Sequence, residues 1–146
     1  MQYSHKLSDA VHILAYIQIG AGWDLSSKTI ANSIEANPSV VRRLMALLVK
    51  GGLLTSHPGV VAPALARPAT DISLLDVYQV VDSSGPLLHV DAKTNPQCPI
   101  GGNIQDTLDE VYAEVQTAAE ERMAAISLQQ IIDGIVGRAK ARKMMA

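Results

Sequence analysis

The chain has 146 residues, 48% apolar and 18% charged, with a formal net charge of −2. This balance supports a packed core and excludes a disordered polar tail; the length favours one domain, or one domain with a helical extension. Aromatics are only 3% with no Phe, which leaves the core to Leu, Val, Ile, Ala and Met, and a single cysteine excludes any all-cysteine metal or iron–sulfur site within one chain.

Charge is unevenly placed. Residues 1–68 carry six Lys/Arg against three acids, giving +3, whereas residues 69–146 carry six against eleven, giving −5. A basic front half on an acidic back half suits a nucleic-acid module joined to an assembly module; ordinary scatter is the plainer alternative. The early apolar stretch from Ala10 to Trp23 is broken by His12 and Gln18. It is too short to span a bilayer and lacks a signal-peptide cleavage pattern, so a cytoplasmic protein without membrane contact is expected.

In chain order, Leu7, Ala10, Val11, Leu14 and Ile17 follow the helical period, and Gly20 and Gly22 end that helix. Ser26 or Ser27 can cap a second helix through about Ile34. Glu35-Ala36-Asn37-Pro38 makes a turn, and a third helix runs from Ser39 to Lys50, stopped by Gly51-Gly52. Leu53 to Ser56 and Val60 to Leu65 read as two strands around a His57-Pro58-Gly59 turn. A helix capped by Ser73 carries Leu74, Leu75, Val77, Val80 and Val81, and residues 82–103 form a long Pro- and Gly-punctuated connection containing Cys98. Beyond it, Ile104, Leu108, Val111, Val115 and Ala118 recur at intervals of four and three, marking a long helix with a narrow apolar seam. Ser127 caps a last helix with Leu128, Ile131, Ile132 and Ile135.

Three helices followed by a hairpin is the order of a winged helix–turn–helix. The expected fold is therefore mainly α with a small two-stranded β wing and a long C-terminal dimerisation helix. Residues 1–81 form the DNA-binding domain, 82–103 the connection and 104–146 the dimerisation helices. On the third helix Val41, Leu44, Met45 and Leu48 share one face, leaving Ser39, Arg43 and Lys50 opposite and Arg42 at the flank. Arg43, with Ser39 and Val40, is expected to face bases, and Lys28, Arg42 and Lys50 to hold phosphates. Ser26 and the wing residue His57 complete the DNA-binding set. The competing reading is a solvated helix face.

The stretches Tyr3 to Leu7, Ile30-Ala31, Arg43 to Leu54, Leu65 to Ala69 and Ile72 to Tyr78 resemble, as an ordered set, the Rrf2 family of bacterial winged-helix repressors. Asn37-Pro38 and Leu-Ala-Arg-Pro are most similar to its YwnA-like branch. The resemblance implies a homodimer joined by the long helix, with two winged heads on a palindromic operator. Two departures stand out. Val61-Ala62-Pro63-Ala64 replaces the usual wing Gly-Gly, and Pro63 shortens the strand or confines it to an edge. Cys98 stands alone where cluster-binding relatives have three cysteines, which excludes a three-cysteine iron–sulfur cluster and leaves no cofactor expected.

Cys98 is placed just before the long helix, where the dipole favours a thiolate, as an oxidant- or electrophile-sensing thiol; the alternative is an inert packed cysteine. His5, His12, His57 and His89 lack metal-ligand spacing, although His89 could tune the thiol, and Trp23 is read as a plug of the core beside the wing. No catalytic constellation is present. The sequence thus describes a DNA-binding transcriptional repressor tuned by a thiol event or by an unidentified small molecule. The alternatives are a winged-helix assembly module and a ligand-responsive regulator with an inert cysteine.

Overall fold

Helix α1, Lys6–Ile19, is apolar on nearly every side because it is the hub of the core. Ala10, Ile13, Leu14, Ala15 and Ile17 are all buried. The computed structural model describes residues 4–56, 62–82 and 85–146. Around α1 lie α2 (Ser27–Ile34), α3 (Pro38–Lys50), α4 (Leu74–Val81) and α6 (Leu128–Ala141). The long helix between the last two is α5, Ile104–Ala124.

The buried set is aliphatic apart from Tyr78 and contains no methionine; Met45 only packs at its margin. No polar or charged residue is buried among the described residues. The core therefore rests on shape and apolar area, with no ionic register to hold it.

The hairpin is smaller than the strand pattern suggests. β1 (Leu54–Thr55) pairs antiparallel with β2 (Ala64–Leu65), with Leu54 opposite Leu65. Pro63 has no N–H to give, and β2 begins just after it. The expected strand positions Val60 and Val61 and the turn residue His57 lie outside the described residues. A 3-10 turn at Ala69–Asp71 leads from the hairpin to α4.

Two capping boxes join the distal helices. Ser73 and Asp76 cap α4 reciprocally, and Ser127 and Gln130 do the same for α6. An antiparallel bridge links the two caps: Leu74 N–H donates to the Ile126 carbonyl at 2.8 Å and Leu128 N–H to the Ile72 carbonyl at 2.7 Å. With Leu128 and Ile132 buried, α6 belongs to the head's own core. The compact units are accordingly residues 1–83 with 124–146, and residues 84–123, whereas the sequence pattern groups α6 with α5.

Trp23 is not a core plug. Its side chain is 55% exposed and meets Tyr16 edge-on, with ring centroids 5.8 Å apart at 78°. The indole rests where Gly20 leaves space: a Cβ at Gly20 would lie 2.6 Å from the ring.

The two glycines after α3 have different causes. Gly52 adopts a φ of +78°, which suits glycine, while Gly51 is helical and is required by close packing instead. A Cβ at Gly51 would sit 2.5 Å from Val80 Cγ2, so α3 and α4 meet at a point where only a hydrogen fits. Gly51→Ala is expected to cost about 1–3 kcal/mol, and clearly less in a Val80→Ala background. Thermal melts of the four proteins check this; a Gly51→Ala protein that melts with the wild type would contradict the close approach.

Candidate nucleic-acid interface

The turn between α2 and α3 is built by backbone chemistry. Glu35 takes a left-handed conformation, with φ 60°. Ala36 N–H returns to the Ala31 carbonyl at 3.0 Å and Glu35 N–H to Asn32 at 3.4 Å, which closes α2 as a Schellman motif. Asn37 then caps α3, Oδ1 accepting from Ser39 N–H at 3.0 Å, and Pro38 occupies the first turn, where its missing N–H costs nothing.

That turn, together with the core, fixes the rotation of α3. Val41, Leu44 and Leu48 are buried, while Ser39, Arg42, Arg43, Ala46 and Lys50 are exposed. The helix has no acidic residue, and no ion pair among the described residues engages Lys28, Arg42, Arg43 or Lys50. Arg42 and Lys50 line one depression of about 520 Å³ together with Ser27, at the start of α2, and Ser56, beside the wing. Lys28 lines a second one with Asp24. Ser27 and Ser56 carry no periodicity signal that would single them out; only the fold brings them beside Arg42.

Three candidates have prior commitments. Ser26 accepts from Thr29 N–H at 3.3 Å and donates to Thr29 Oγ1 at 3.0 Å, so its hydroxyl serves the α2 cap. Asp24 completes this network by accepting from Ser26 N–H and Thr29 Oγ1, which holds its carboxyl below the usual carboxylate range. Ser39 Oγ donates to Asn37 Oδ1 at 3.0 Å. Val40 is half-buried against the core margin.

Known proteins supply the family. The Rrf2 family, described as "Iron-dependent Transcriptional regulator", matches residues 3–134. The chain belongs to the Rrf2 family. YwnA of Bacillus subtilis (strain 168), provisionally named an HTH-type transcriptional regulator, is 41% identical over 128 residues, covering 88% of this chain and 95% of YwnA. A crystal structure of a protein provisionally described as DNA-binding shares 39% identity and a TM-score of 0.69, covering 87% of this chain and 98% of that one. CymR of B. subtilis, the global cysteine regulator, has the same fold at 17% identity and a TM-score of 0.66, covering 91% of this chain and 97% of its own. The protein is thus a DNA-binding transcriptional regulator of the Rrf2 family and not an enzyme, and its β1–β2 hairpin is the wing. No described helix is long and apolar enough to cross a membrane.

The residues of this family member do not fit an iron site. Among the described residues no three His, Cys, Asp or Glu side chains come together as ligands, and Cys98 is the chain's one thiol. Cys98 instead sits half-exposed in a tight turn: its N–H donates to the Asn95 carbonyl at 3.2 Å and its carbonyl accepts from Gly102 N–H at 2.7 Å. Added Cβ atoms at Gly101 and Gly102 would lie 2.5 Å from the Asn95 carbonyl and 2.7 Å from that of Pro96, so the turn closes only on glycines. The backbone N–H groups of Gly101 and Ile100 point at the sulfur and lower its pKa. His89 takes no part in that shift.

The seam on α5 is open. No residue of this helix is buried; Ile104 is 37%, Val111 47% and Val115 44% exposed, Ala118 is exposed and Leu108 half-buried.

Because the folded state favours the thiolate, Cys98 should alkylate with a pH midpoint below the ~8.5 of free cysteine and return to that value in urea. Iodoacetamide rates against pH, native and denatured, check this; superimposable profiles would contradict it.

Proposed function

We propose that the protein is a homodimeric repressor acting in the cytoplasm on a palindromic operator, with Arg43 reading bases and Lys28, Arg42 and Lys50 binding phosphates. One observation carries the DNA reading: an exposed row of Ser39, Arg42, Arg43 and Lys50 on an acid-free helix whose cations make no ion pair among the described residues. Such cations beside a shallow depression suit a phosphate backbone, and an exposed Arg suits guanine in a major groove. The open α5 seam supports the dimer, since apolar side chains at coiled-coil spacing gain by burial against a second copy. The sense of regulation follows from the repressors that the sequence resembles. The lowered pKa of Cys98 favours a thiol event, a mixed disulfide or a sulfenic acid, as one route of tuning.

Genomic fragments retained by the purified protein supply the operator. On it, Arg43→Ala should lose about 1–3 kcal/mol and relax preference at one position of each half-site. Lys50→Ala should weaken all sequences alike and flatten the salt slope by about 0.9 for each phosphate it no longer neutralises. Wild-type binding by Arg43→Ala would overturn the recognition-helix assignment. Retention that ignores salt would favour an assembly module.

A further inference from the structure

The head has a cavity that the DNA-binding reading does not use. It measures about 390 Å³ and lies among α1, α2, the turn carrying Trp23 and the end of α6. Tyr16, Ile19, Trp23 and Ile135 form its apolar walls, with His12 and Ser33 at its polar end. Unlike the depressions beside α3, it is lined by no Asp, Glu, Lys or Arg. A charged ligand would therefore meet no opposite charge among these lining residues, which favours a neutral one. The volume falls within the range of small-molecule sites.

Two features narrow the class further. The rings of Tyr16 and Trp23 meet edge-on, and the indole remains 55% exposed, which leaves aromatic surface for a planar ring to pack on. His12 Nε2 and Ser33 Oγ are 2.8 Å apart, spanning α1 and α2. The imidazole nitrogen donates or accepts according to tautomer, and the serine hydroxyl does both. A ligand hydroxyl, itself donor and acceptor, can join this pair in either tautomer, whereas a carbonyl can join only when Nε2–H donates to Ser33 and leaves the serine proton free. Met144 and Met145 also line the space and supply unbranched side chains that adapt to a guest.

We propose that this cavity is an effector site for a small neutral phenol, whose ring stacks on Trp23 and whose hydroxyl enters the His12–Ser33 pair. Ser33 lies near the end of α2, two residues before the Glu35 turn that aims α3. A guest that draws on Ser33 thereby acts on the element that sets the recognition helix. This regulatory role rests on the DNA-binding reading above; the binding site itself does not.

Trp23 is the chain's single tryptophan, so its fluorescence reports the cavity directly. The probe is 2-naphthol, with naphthalene as the control that lacks the hydroxyl, and calorimetry provides the second readout. The expected result is saturable quenching with one site per chain and a Kd of about 1–100 μM, as suits a ligand of this size. Ser33→Ala should weaken 2-naphthol about fivefold and leave naphthalene unchanged. Ala139→Phe, which puts a ring into the cavity, should weaken both; should it fail to fold, the surface change Ser33→Ala still decides. Operator affinity should shift at least about fivefold with 2-naphthol, and less in Ser33→Ala. No saturable binding, or equal loss of naphthol and naphthalene in Ser33→Ala, overturns the site while leaving DNA retention untouched. Trp23 emission that shifts to the blue with protein concentration, without naphthol binding, overturns it in favour of a subunit contact. Naphthol binding with unaltered operator affinity overturns the effector role. Naphthol binding by a protein that retains no DNA supports the site and removes the regulator reading instead.

Discussion

Everything in the head depends on the burial of α1 on almost all sides. Ala10, Ile13, Leu14, Ala15 and Ile17 are buried, and α1 is in contact with α2, α3, α4, α6 and β2. Because no polar or charged residue is buried among the described residues, apolar packing selects the arrangement of the core. A helix–turn–helix held this way transmits shape well, since an aliphatic interior at close-packed density does not deform continuously. The orientation of α3 follows: with Val41, Leu44 and Leu48 committed to the hub, Arg43 and its neighbours can only face outward.

The polar chemistry is correspondingly local. Asp24, Ser26 and Thr29 close the start of α2, Asn37 and Ser39 the start of α3, and two capping boxes the starts of α4 and α6. Each satisfies N–H groups that would otherwise need water, so side-chain oxygen is committed at the helix ends before any ligand arrives. The cations on α3 make no ion pair among the described residues, while the hydroxyls of Ser26 and Ser39 are committed to the helix caps.

Much of this is legible in the sequence. The six helices announce themselves through apolar period and cap residues, and the outward row on α3 follows from counting Val41, Leu44 and Leu48 around a helix. What is not legible depends on neighbours distant in the chain. The docking of α6 on the head needs Leu128 and Ile132 to find α1, and the requirement for Gly51 needs Val80, some thirty residues away. Trp23 departs from its expected place because an aromatic in an apolar stretch suggests a core residue, whereas the fold sets its ring at the surface against Tyr16 and Gly20. The wing is shorter than its apolar runs because strand propensity says nothing of ladder length once Pro63 intervenes. The base- and phosphate-contacting roles lie beyond pattern altogether, since they are properties of a complex.

Within one chain, α5 is a 21-residue helix with no fully buried residue, and isolated helices in water are stabilised mainly by what they pack against. The repeated Ile104, Leu108, Val111, Val115 and Ala118 make a second copy the natural partner in the proposed regulator, and a palindromic operator would mirror that twofold symmetry. Sedimentation equilibrium of the wild type and of Val115→Glu at micromolar concentration tests this most directly. The account predicts twice the chain mass for the wild type and the single-chain mass for a folded Val115→Glu, which places a charge in the seam. A monomeric wild type, or a Val115→Glu protein that remains dimeric, would contradict it.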